Sequence, residues 1–502
     1  MLGKDSMRIA AISDVQGNFE AIHQVYNESV EYIIHTGNFG FWDQETIEDY
    51  KDLNYLKQIV SFSKKLDSRL VEELNNLSTI KSNANNNDKD YEIFTNKLRN
   101  NPISDMELYL KGHKSLPCPV YTTFGPLDDP KIINKFQIGE YQIPNLYIID
   151  HLKIHEIINP NKNQPSIKIY GISGNVKIHN LFDHGNLNYE YLSGKVGDLW
   201  ITLTQISQLY MMIQEEMNAK ESINIFVSYA PIIKSPILEH LAIITHANFT
   251  ISQGLHFRYP VMGNGMSFVD SMGGSAGYIE NYRSKFSRLR LILGELWVVV
   301  KKHILEVLEQ YPKEESTNLR QTIEIGLKIF DKIPISINET NDKIIPLTFG
   351  DEEEEEEVEE NYEIQKQILK KINDYYFSAY YNLWHFNLTN LIMEEEEAEE
   401  IEEEEKEKEL NMMIFKLTKY GNFKLEYCKS QGFNFNFKKP SSPQSREQKP
   451  SIDAIEYSPK TGIKREVFED NLIRSKRLLE RGSRSNRARG KFKTRAKTRL
   501  QK

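Results

Sequence analysis

The stretch Ile9-Ala10-Ala11-Ile12-Ser13-Asp14-Val15-Gln16-Gly17-Asn18-Phe19-Glu20-Ala21-Ile22 decides how this chain is read. Its small apolar run reads as a buried strand that ends on Ser13-Asp14. Gly17 permits a sharp turn, and a helical pattern follows. Asp14, at the strand tip, reads as a cleft-facing carboxylate or as a turn cap.

Similar strings recur along the chain. Tyr32-Ile33-Ile34 runs into His35-Thr36-Gly37-Asn38-Phe39-Gly40. Pro119–Phe124 reads as a strand entering Gly125-Pro126-Leu127-Asp128. Ile223–Ser228 runs into Tyr229-Ala230-Pro231, and Gln253-Gly254-Leu255-His256-Phe257 comes later. Taken in order, these strings resemble the motifs of the calcineurin-like metallophosphoesterase superfamily. That resemblance implies an α/β fold, a β-sandwich flanked by helices, with a two-metal site at the strand ends.

The resemblance also shows where this chain departs. The family's first motif, Asp-x-His-Gly-Asn, becomes Asp14-Val15-Gln16-Gly17-Asn18, with Gln16 in place of a metal-binding His. Asn38 stands where the family has a carboxylate bridging two metals. In the third motif Pro126 and Leu127 displace the metal-binding Asn and the general-acid His, while Gly125 and Asp128 remain. Tyr229 replaces a metal-binding His, and His256 is out of register in the fifth motif. An amide oxygen can coordinate a hard cation such as magnesium or calcium but is a poor replacement for imidazole on zinc, iron or manganese. A two-metal site must clamp both the attacking and the leaving oxygen, and these residues are too few for that. The implied vestigial site is Asp14, Gln16, Asn38, Asp128, Tyr229 and His256, and hydrolysis is expected to be negligible. The alternative is an active phosphoesterase holding one divalent cation, manganese or magnesium, on Asp14, Gln16, Asn38, Asp128 and His256. His256 and Arg258 are the candidates for binding an anion beside this site.

Longer strings are similar to an uncharacterised fungal branch of the superfamily, known as a domain of unknown function. They include Gly139–Leu146, His179–Asp183, Gly254–Tyr259, Trp384–Leu388 and Gln431–Phe435. Together they span roughly residues 8 to 437. His179 and Asp183 themselves read as structural.

Length and composition fit one large domain with tails: 502 residues, 39% of them hydrophobic. The expected division is a metallophosphoesterase-like domain over 1–345, acidic insertions with late strands packing back over 346–437, and a disordered linker and basic tail over 438–502. Residues 45–116 read as mostly helical, interrupted by a polar loop at Asn83–Asp90. Further helices are expected over Thr204–Ala219, Ser284–Leu308 and Thr317–Ile333. Met412–Leu417 and Phe423–Cys428 read as a hairpin returning to the domain as edge strands. The aromatic group Tyr375, Tyr376, Phe377, Tyr380, Tyr381, Trp384 and Phe386 reads as a strip packed on a sheet, or as a base-stacking surface.

Charge is polarised along the chain. Acidic runs occupy Asp351–Glu360 and Glu394–Glu409, whereas the residues from Arg474 onward hold 13 Lys and Arg against Glu480 alone. Arg484, Arg487, Arg489, Lys491, Lys493, Arg495, Lys497 and Arg499 can track a phosphate backbone through counterion release, and they resemble an import signal. The expected partners are RNA, a ribonucleoprotein or an acidic protein. Cys118 and Cys428 form no metal or disulfide framework. No apolar run reads as a membrane span, and residues 1–7 leave no room for a signal peptide. The location expected from these features is cytoplasmic, nuclear or both.

Overall fold

The first strand, β1 (Ser6–Ile12), is buried on both faces, as its run of small apolar residues requires. Ala10 and Ile12 point to one apolar cluster, Ile9 and Ala11 to another. The computed structural model describes residues 6–50, 52–77, 84–159, 165–183, 192–216, 222–253, 261–264, 278–334, 347–349, 371, 378–379, 382–388, 412–418 and 422–429. The acidic runs, His256, Arg258, the basic tail and Tyr375, Tyr376, Phe377, Tyr380 and Tyr381 lie outside the described residues.

The remaining strands are β2 (Tyr32–His35), β3 (Val120–Thr122), β4 (Leu146–Ile148), β5 (His155–Ile157), β6 (Ser166–Ile172), β7 (Gly194–Lys195), β8 (Asp198–Leu199), β9 (Ser222–Ser228), β10 (Phe249–Gln253), β11 (Val261–Asn264), β12 (Trp384–Leu388), β13 (Met412–Thr418) and β14 (Phe423–Lys429). The helices are α1 (Glu20–Asn27), α2 (Gln44–Asp49), α3 (Leu53–Phe62), α4 (Ser68–Asn76), α5 (Ala84–Asn100), α6 (Met106–Leu110), α7 (Pro130–Gln137), α8 (Leu203–Glu216), α9 (Pro236–Ile244), α10 (Tyr278–Leu308) and α11 (Lys313–Asp331). The chain is thus mixed α/β, and among the described residues no helix is long and apolar enough to cross a membrane.

Two six-stranded mixed sheets organise it, in the orders β14-β13-β1-β2-β3-β4 and β11-β12-β10-β9-β6-β5. Their inner faces share one apolar cluster, in which Ile9, Ala11, Ile34 and Phe415 from the first sheet meet Ile169, Ile225, Ile251 and Phe386 from the second. The outer face of the first sheet buries Ala10, Ile12 and Ile33 against Ile22 and Val25 of α1, Met106 of α6 and Ile132 of α7. Asp129 caps α7 through the Lys131 N–H at 2.8 Å, with Pro130 filling the first turn. A third cluster, around Trp42, Leu56, Val60, Leu74 and Phe94, ties α3, α4 and α5 together.

Three sequence expectations change here. Residues 84–90 are not a loop but the opening of α5. Its later positions Phe94 and Leu98 are fully buried, and that anchorage carries a polar helix start that propensity alone would not hold. The late hairpin is not all edge. β13 pairs antiparallel with β1 from Ser6↔Thr418 to Ile12↔Met412, and only β14 lies at the margin. The physical reason is that β13 is apolar on both faces, with Met412 and Ile414 outward and Met413, Phe415 and Leu417 inward. Trp384–Leu388 does not pack on a sheet; it is a strand of one, parallel to β10.

The chain divides into two compact units: Met1–Met262 with Lys302–Gly326 and Trp384–Tyr457, and Gly263–Lys301 with Leu327–Leu383 and Ser458–Lys502. Within the second, Arg290 pairs with Asp331 at 2.7 Å. There too the Trp297 indole donates to the Thr348 carbonyl at 3.0 Å.

Candidate functional site

The turns after β1 and β2 are bonded to one another beyond the ends of the strands. Asp14 N–H donates to the Gly37 carbonyl at 3.2 Å, Gln16 N–H to that of Asn38 at 3.0 Å and Gly17 N–H to that of Phe39 at 2.9 Å. Asp14, Gln16 and Asn38 all take left-handed backbone angles, with φ of 55°, 46° and 56°. Such residues gather where a site over-determines the backbone. Asp and Asn tolerate the conformation better than most residues. Gly17 has no such latitude: φ is +84°, and a Cβ there would lie 2.2 Å from the Ile103 carbonyl oxygen.

Asp14 is 6% exposed, and both its oxygens are engaged. Asn38 Nδ2 donates to Oδ1 at 2.8 Å, and Gln253 Nε2 donates to Oδ2. Burial pushes its pKa above the usual carboxylate range, opposed by the Lys64 charge and by these hydrogen bonds. The Asn38 amide is fixed at its other end, because Oδ1 accepts the Leu127 N–H at 3.1 Å. Gln253 must also present nitrogen to Asp14, since a carboxylate only accepts. Tyr229, 4% exposed, packs against Gly37, where a Cβ would lie 2.5 Å from its ring, and bonds the Asn38 side chain. Its hydroxyl pKa is raised, first by burial and then by Asp14.

Asp128, expected among the metal-site residues, is committed elsewhere. Its oxygens accept four backbone N–H groups, from Gly40 at 2.7 Å, Gly125 at 2.9 Å, Phe41 at 3.1 Å and Phe39 at 3.2 Å. It clamps the turn after β2. Burial pushes its pKa up to about 6 against the pull of those four donors. The structure does bring Gln16, Asn38 and Asp128 together along one cleft, of about 270 Å³ including its open mouth. Trp42, Ile59, Phe62 and Ile103 form much of the rest. His179 sits apart, in the short 3-10 turn Ile178–Asn180.

Two features escaped the sequence reading. His35, fully buried, braces the strand ends: its ring nitrogens lie 3.3 Å from Val15 N, 2.9 Å from Thr122 Oγ1 and 3.3 Å from Gly37 N. Burial and the Lys64 charge push its pKa down to about 3, so the ring is neutral. Its position just before Thr36-Gly37-Asn38 was the available signal. Second, the pairings His35↔Thr122 and Ser252↔Ser228 are followed in the chain by Thr36 and Thr123 and by Gln253 and Tyr229. Thr36 Oγ1, Thr123 Oγ1 and Gln253 Oε1 are buried without a hydrogen-bond partner among the described residues.

Among the described residues the donor set does not fit a pair of divalent ions. Asp14 is buried and covered by two N–H donors, Asp128 at the cleft accepts four backbone N–H groups, and Gln16, Asn38 and Tyr229 are neutral. Among the described residues no three His, Cys, Asp or Glu side chains group together as metal ligands.

A family model described as a protein of unknown function (DUF2433) matches residues 259–438. Among solved structures, one similar chain is titled "GAP50 the anchor in the inner membrane complex of Plasmodium". It is 14% identical, with 50% of this chain and 66% of that chain covered and a TM-score of 0.25. A likeness at that level fixes neither fold nor activity. No curated protein matches the chain.

Proposed function

We propose that this protein is built on a calcineurin-like metallophosphoesterase sandwich whose metal-binding end has become a hydrogen-bonded polar plug, and that it works as a binding or scaffold module. One observation carries the reading: each oxygen of Asp14 accepts an amide N–H where a metalloenzyme would present it to a cation. A cation arriving at Asp14 meets N–H dipoles with their positive ends toward it, and Asn38 cannot turn without abandoning Leu127. In this reading Arg484–Arg499 supply a sequence-independent contact to RNA or another acidic partner.

The test is metal analysis of purified protein together with an aryl phosphate assay in manganese. The expected result is substoichiometric metal and no turnover above background. Stoichiometric metal with turnover abolished by Asp14→Ala overturns the proposal. It would establish the second reading instead, a phosphoesterase using one hard cation. That second reading draws on the three unpartnered oxygens of Thr36, Thr123 and Gln253, which are ligand types a hard cation accepts.

A further inference from the structure

We draw no further inference here: the strongest candidate, the largely apolar cleft that Trp42, Ile59, Phe62 and Ile103 form beside Gln16 and Asn38 at the strand ends, belongs to the site already described, and nothing in the structure shows what covers it.

Discussion

At the scale of the residue, the site turns on the difference between an amide and a carboxylate at position 38. Asn38→Asp keeps the shape and the acceptor for Leu127 N–H but sets a second buried carboxylate against Asp14. The pair can ionise fully only at high cost, so its proton is held to higher pH than in the unfolded chain. Stability is then retained below about pH 4 and lost as pH rises through the raised value. We expect a loss of roughly 3–5 kcal/mol near neutrality, read by urea unfolding at several pH values. His35 gives the opposite slope. Its pKa is pushed down to about 3 when folded. Its contribution is therefore complete above about pH 6.5, the unfolded value, and declines as pH falls toward 3. His35→Gln should remove up to about 1.4 kcal/mol of that dependence per pH unit across the window, measured the same way. The places of Gln16, Asn38 and Tyr229 were legible because each follows a strand end, the first two beside a glycine turn and Tyr229 just before Ala230-Pro231. The partnership of Asp14 with Gln253 was not, since 239 residues separate them and only the approach of two sheets joins them.

At the scale of the element, legibility followed burial. β1, β6 and β9 declare themselves as apolar runs, and α8 by its spacing. The opening of α5 looked like a loop because its asparagines carry no periodicity, and only the buried Phe94 farther on makes it helical. β13 read as part of an edge hairpin because seven residues cannot announce which neighbours will flank them. Its interior place has an energetic consequence. Phe415 stacks on Phe423 at 5.3 Å and meets Phe386 edge-on at 4.9 Å, joining both sheets. Phe415→Ala should cost about 3–5 kcal/mol, far more than an alanine at the half-buried Lys424 of β14, with the denaturant midpoint as the measure.

At the scale of the whole molecule, opposite charges are segregated along the sequence, with two acidic runs and a basic end. If they screen one another in the absence of a partner, small-angle scattering should show the radius of gyration rising between low and high salt. A chain ending at residue 463 should lose most of that response, and, if the proposed function holds, binding to RNA should fall as well. Binding unchanged by the deletion would remove the tail from the functional argument. The seven-position ladder between β1 and β13 bears on how the protein is made. β1 is synthesised some four hundred residues before its partner β13 leaves the ribosome. Meanwhile it carries a bare, apolar edge, the kind of surface that recruits unwanted strands. The nascent chain is therefore exposed to aggregation until β13 arrives, and premature termination anywhere before Met412 should yield insoluble product.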